Sequence, residues 1–179
     1  MPKIKLLRTI DPLKFAEQQS SLVGELALGA MLRLGDTCGF KQTSGVAKFS
    51  LEGGVDRQGF RYLKGEVDAD VKLQCQRCLQ PMDYHVKAEF LLSPVHDEKE
   101  ETKLPVVYED LYLAQPELAL LNIIEDELLL ALPLVPKHPA KKCVGASRLS
   151  PGQAHAVPEN AQDKSLHPFA ELEKLKKRG

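Results

Sequence analysis

Tryptophan is missing from this 179-residue chain and aromatic residues make up only 6% of it. That scarcity argues against an extensive base-stacking platform. No sign of charge dominates: 24 Lys and Arg stand against 25 Asp and Glu, for a formal net charge of −1. Any contact with nucleic acid must therefore come from local clusters and not from a field over the whole surface. Long hydrophobic runs are lacking too, since the most apolar stretch, LLLALPLVP, falls well short of the about 20 residues a membrane-spanning helix needs. The opening MPKIKLLRTIDPLKF has no apolar core followed by a small-residue cleavage site, so a cytoplasmic protein with no membrane partner is expected. Four cysteines at irregular spacing are not a secreted disulfide framework, which leaves metal, redox or plain burial as their uses. No Ser-His-Asp arrangement, glycine-rich phosphate loop or H-E-x-x-H motif occurs. No small-molecule substrate is evident and no catalytic role is assigned.

With 43% apolar residues, the chain can bury one core. Asp11 followed by Pro12 reads as an N-cap and first helical residue, so a short helix is expected there. LVGELAL has the look of a short strand, and GAMLRL of one or two helical turns before a break at Gly35–Gly39. From Gly45 the pattern turns to period two. Val67, Ala69, Val71 and Leu73 share one face while Glu66, Asp68, Asp70 and Lys72 share the other, the mark of a strand with one wet side. GGVDRQG reads as a turn, and YHVKAEFLLSPV alternates again. The charge run His96–Lys103 is expected to be a solvated loop, and LPVVYEDLYL a short extended segment.

QPELALLNIIEDELLLALPLVP predicts a helix near 117–131, with Pro116 in its first turn and Pro133 ending it. Its apolar stripe would run through Leu118, Leu121, Ile124 or Ile123, Leu128 and Ala131. After Pro136 periodicity fades into a Pro-, Ala-, Gly- and Lys-rich stretch, and HPFAELEKLKKRG closes the sequence as a short basic amphipathic helix. The expected architecture is α+β: an antiparallel meander over residues 45–95 packed against one or two helices. Residues 1–136 would form the domain and 137–179 a flexible arm.

Three constellations can carry function. Cys75 and Cys78 supply half of a tetrahedral zinc site, and His138 with Cys143 the only comparable second half. Used as a redox pair they would make the protein a thiol-dependent oxidoreductase, but the pair sits between strands and lacks the βαβ setting and helix N-terminus that lower a thiol pKa. Cys38 reads as a buried hydrophobe. Glu125, Asp126 and Glu127 fan over roughly 200° of a helix, which suits a solvated face or a docking surface for a basic partner. Basic clusters at Lys3, Lys5 and Arg8, at Lys137, Lys141 and Lys142, and at Lys174, Lys176, Lys177 and Arg178, together with Arg77, are the candidate RNA or partner contacts.

Taken in order, IDP, LQCQRCLQP, LPVVYE, EDELLLALPLVPKH, the following Cys143 and the terminal HPFAELEKLK resemble the YceD family of large ribosomal RNA subunit accumulation proteins. The resemblance runs over nearly the whole chain. It implies a non-catalytic ribosome biogenesis factor that supports synthesis, processing or stability of 23S rRNA. The implied partners are 23S rRNA or its precursor, or large-subunit ribosomal proteins. A metal-stabilised protein-interaction module without RNA contact is the further alternative.

Overall fold

Alternation of apolar and polar side chains along most of residues 46–95 dictates extended strands with one dry and one wet face. A computed structural model of the chain describes residues 9–40, 44–102, 104–139 and 143. In chain order the elements are β1 (Thr9–Ile10), α1 (Pro12–Glu17), β2 (Ser21–Ala27), a 3-10 turn (Leu28–Ala30), α2 (Leu32–Cys38), β3 (Val46–Val55), β4 (Arg61–Gln74), β5 (Pro81–Val95), α3 (Glu98–Glu101), β6 (Glu109–Tyr112), β7 (Leu118–Ala119) and α4 (Leu120–Ala131). The described residues fall in one compact unit. Beyond Cys143 the expected arm, with its basic helix, lies outside them.

The sheet runs β2-β3-β4-β5-β6, and β1 pairs with β7 in a separate two-stranded ribbon. Strands β2 to β5 are antiparallel neighbours; β3 to β5 form the meander the alternation predicts, and β2 adds to its edge. β6 instead lies parallel to β5, from Leu92 opposite Glu109 to Val95 opposite Tyr112. Asp11 behaves as its sequence context predicts: its carboxylate accepts the Lys14 N–H at 3.1 Å, and Pro12 takes the first turn. That satisfies one of the donors a helix start leaves open.

Two glycines differ from their expected role. Gly53 and Gly54 belong to β3 and not to the turn after it. A Cβ on Gly53 would sit 2.4 Å from the Phe15 carbonyl oxygen, and one on Gly54 the same distance from the Tyr62 ring. They are there for close approach of α1 and of a neighbouring aromatic, while the turn itself is confined to residues after Val55. α2 likewise runs through Gly35 and stops at Gly39, whose φ of 74° is left-handed, a common helix ending. The charge run holds one helical turn, α3.

The dry face of the sheet, with Leu51, Leu63, Val67, Val71, Val86 and Phe90, forms one core with Leu34 of α2 and with Leu120, Ile124 and Leu128 of α4. Each such side chain contributes about 1.5–3 kcal/mol when fully buried. The helix starts later than expected because Leu118 and Ala119 are extended, paired with β1. Its buried stripe is Leu120, Ile123, Ile124 and Leu128, joined by Glu125 and Glu127.

The acidic run therefore needs correction: Asp126 is exposed, but Glu125 and Glu127 are only 3% and 7% exposed. Glu125 is inside because it serves α2. Its Oε1 accepts the Leu34 N–H at 3.0 Å and its Oε2 the Arg33 Nε–H at 3.1 Å. Met31, the residue preceding α2, offers no side-chain cap of its own. A carboxylate from another helix thus fills the role a local Ser or Asp usually has. Glu127 lies inside without such partners among the described residues, and burial, reinforced by Glu109 and Asp126, pushes its carboxyl up to about 7.

Candidate functional site

The turn joining β4 to β5 is built by backbone bonding around Cys75. The Cys75 N–H donates to the Gln80 carbonyl at 3.0 Å, and the Leu79 N–H returns to the Cys75 carbonyl at 2.8 Å. Leu79 takes a left-handed φ of 59° to allow this, a conformation that costs a non-glycine residue about 1–2 kcal/mol. Pro81, which has no N–H to donate, then opens β5.

A second segment closes over this turn. α4 ends before Pro133, and the chain returns so that the Pro136 carbonyl accepts the Gln76 N–H at 2.9 Å. Two residues on, the His138 N–H donates to Cys75 Sγ at 3.4 Å. The His138 ring lies with Nδ1 3.4 Å from Cys78 Sγ and Nε2 3.2 Å from the Pro81 carbonyl oxygen. Cys143 brings its sulfur to 3.9 Å from Cys75 Sγ. The four donor atoms of Cys75, Cys78, His138 and Cys143 all lie within 4.8 Å of one another. Cys75 and Cys143 are buried, while Cys78 and His138 are half-buried.

Electrostatics at the two hairpin cysteines diverge. Burial opposes ionisation of Cys75, but the backbone N–H groups of His138, Arg77 and Cys78 point at its sulfur and bring the thiol down to about 5. The Gln80 N–H favours the Cys78 thiolate, yet burial and the sulfurs of Cys75 and Cys143 outweigh it and push that thiol up. Cys38 is apart from the group, and burial alone raises its thiol to about 11. It is the inert buried hydrophobe its surroundings predict.

Three sulfurs and an imidazole nitrogen in one place can hold a borderline-soft cation. A low thiol pKa is also what an oxidoreductase needs, but reactive thiols are partly exposed. Cys75 is 0% exposed, and the pair lies in the turn between two strands with no helix N-terminus beside it among the described residues. Of the other expected contact residues, Arg77 sits in the turn itself, half-buried. Lys141, Lys142, Lys174, Lys176, Lys177 and Arg178 lie outside the described residues, as do Lys3, Lys5 and Arg8.

The wet face of the sheet is charged but not of one sign. A row crosses four strands in the order Glu25, Lys48, Asp68, Lys87, and Lys72–Asp83, His85–Asp70 and Lys87–Glu66 pair at 3.1, 2.9 and 3.4 Å. Such a face sets strand register more readily than it binds phosphate. Apolar surface appears instead at the end of α4 and just beyond it, where Leu130 and Leu134 are 75% and 100% exposed. Among the described residues no helix is long and apolar enough to cross a membrane.

The turn at the other end of β4 had no signal beyond its Asp and Gly. Asp56 Oδ1 accepts the N–H groups of Gln58 and Phe60, both at 2.8 Å, and its Oδ2 accepts the Tyr108 hydroxyl at 2.8 Å.

Residues 63–176 match the family model described as large ribosomal RNA subunit accumulation protein YceD. The protein of that name from Haemophilus influenzae is 35% identical over 179 residues, covering 99% of this chain and 100% of the relative. No solved structure matches.

Proposed function

The chain belongs to the YceD family of large ribosomal RNA subunit accumulation proteins, and from that premise we propose that it is a non-catalytic ribosome biogenesis factor of the cytoplasm. It supports synthesis, processing or stability of 23S rRNA by binding the precursor RNA or a large-subunit ribosomal protein. The observation that carries this reading is the end-to-end similarity to a relative named for that role.

Two features bear on how the partner is held. The sign-alternating wet face is a poor phosphate surface, so RNA contact would fall to the basic clusters of the termini. The exposed Leu130 and Leu134 suit a protein partner, since exposed apolar surface marks such contacts. Deleting the gene and measuring mature and precursor 23S rRNA, with in-cell crosslinking, tests the reading. Lowered 23S rRNA with crosslinks to its precursor or to a large-subunit protein is expected. Unchanged rRNA with no such crosslinks overturns it. Salt separates the two modes of binding, because neutralised phosphates release counterions and an RNA complex weakens steeply as salt rises.

A further inference from the structure

Three independent observations converge on the cluster that joins the β4–β5 turn to the segment after α4. The first is distance. In a tetrahedral zinc–thiolate site the donor atoms stand about 3.5–3.8 Å from one another, given Zn–S near 2.3 Å and Zn–N near 2.0 Å. Cys75 and Cys143 sulfurs are 3.9 Å apart, and Cys78 Sγ and His138 Nδ1 are 3.4 Å apart. A disulfide would need sulfurs at about 2.05 Å, so the spacing is that of a shared centre and not of a bond.

The second is the imidazole. A carbonyl oxygen only accepts, so the 3.2 Å contact between His138 Nε2 and the Pro81 carbonyl requires the proton on Nε2. In the neutral ring Nδ1, the atom facing the sulfurs, then keeps its lone pair. Metal-bound histidines are held in this way, the far nitrogen donating to a carbonyl or carboxylate that fixes tautomer and ring plane.

The third is the amide shell. Cys75 Sγ receives the N–H of His138 at 3.4 Å and is faced by the amides of Arg77 and Cys78, while Cys78 is faced by that of Gln80. Backbone donors of this kind are outer-shell partners that orient a ligating sulfur.

We propose that Cys75, Cys78, His138 through Nδ1, and Cys143 bind one zinc ion as a closed structural site. Four protein ligands complete a tetrahedron, so no position remains for water or substrate and the ion does no chemistry. Binding displaces the thiol protons to solvent as the sulfurs become ligands. The ion's role is to tie His138 and Cys143 to the hairpin, where the hydrogen bonds across this junction among the described residues are that between Gln76 and Pro136 and those of His138. The site does not rest on the ribosomal RNA reading, and either can fail without the other.

The test uses the full chain expressed with zinc and purified without chelator, read by native mass spectrometry and elemental analysis. One zinc per chain is expected. Cobalt(II) in its place should give the intense visible bands of a tetrahedral ion and a thiolate-to-cobalt charge-transfer band. Cys143→Ser and His138→Gln leave the hairpin pair intact and should each weaken zinc binding at least 100-fold, while Cys38→Ser leaves stoichiometry and affinity unchanged. Circular dichroism of the chelated wild type checks that the sheet survives, so that loss of metal is not mistaken for loss of fold. A folded chain that takes up no zinc or cobalt overturns the proposal, as does an octahedral cobalt spectrum. Full zinc affinity in both ligand variants would do the same.

Discussion

The two ends of β4 turn the chain back by the same device in different chemistry. At one end a carboxylate oxygen of Asp56 gathers two backbone N–H groups, and its second oxygen is tied to Tyr108. At the other a thiol sulfur of Cys75 gathers the amides, and the tie comes from His138 and Cys143. The difference is in completeness. Oxygen acceptors of Asp56 are filled by protein donors alone, so that turn needs nothing further. Sulfur and nitrogen lone pairs at the other end converge on one another, an arrangement that is repulsive unless protons or a cation lie between them.

The comparison can be broken most forcefully at the sulfur end. Cys143→Ser should raise hydrogen exchange at the Gln76 and His138 amides at least 100-fold, by analogy with losing a ligand present at about 100 times its dissociation constant. Amides in the middle of β4, such as Val67, should not change. Chelating the wild type should reproduce the effect, whereas the Asp56 turn should be indifferent to chelator.

To the titration of the two turns α4 adds one of its own. Glu127 has its carboxyl raised to about 7 from an ordinary 4.5, so the folded state holds that proton more tightly than the unfolded one. The sign follows: the contribution to stability is full below pH 4.5 and is lost as pH rises through 7. Glu127→Gln should therefore stabilise the protein by up to about 3 kcal/mol at pH 8 and flatten its pH profile, measured by denaturant unfolding. A variant with an unaltered profile would show that the carboxyl is ionised and hydrated at neutral pH.

Smaller effects are expected at the oxygen end. Asp56→Ala removes the acceptor of three hydrogen bonds and should speed exchange at Gln58 and Phe60 about tenfold. Tyr108→Phe removes one of them and should do so about fivefold or less. Acid should mimic the first change. Burial resists ionisation of Asp56, but the Tyr108 hydroxyl and the backbone N–H groups outweigh it and lower its pKa. The turn is thus held above the ordinary 3.8 and loosens only as pH falls through the lowered value.

What could be read from the sequence follows the reach of each interaction. Asp11–Pro12 was legible because the N-cap bond spans three residues. The β3–β4–β5 meander was legible because period-two alternation is a property of each strand by itself. The burial of Glu125 was not, since its reason lies in Arg33 and the Leu34 N–H, on a helix far back in the chain. Parallel pairing of β6 was equally hidden: Glu109–Tyr112 shows no alternation, and its place depends on which edge of the sheet is free. The cysteine cluster stood between these cases. Spacing marks Cys75 and Cys78 as a pair, and residue type alone marks His138 and Cys143, but only the fold brings them within reach.

The small ribbon of β1 and β7 bears on the order in which the molecule assembles. It pairs Thr9 with Ala119 and Ile10 with Leu118, so the whole five-stranded sheet is looped between its two short strands. Closing a loop that long costs entropy before two residue pairs can repay it, whereas the hairpins of the meander close over a few residues each. The transition state for folding should accordingly contain β4 and β5 already paired and the ribbon still open. Weakening the ribbon would then quicken unfolding and leave the folding rate unchanged. The first described residues would be the last to dock and the first to leave.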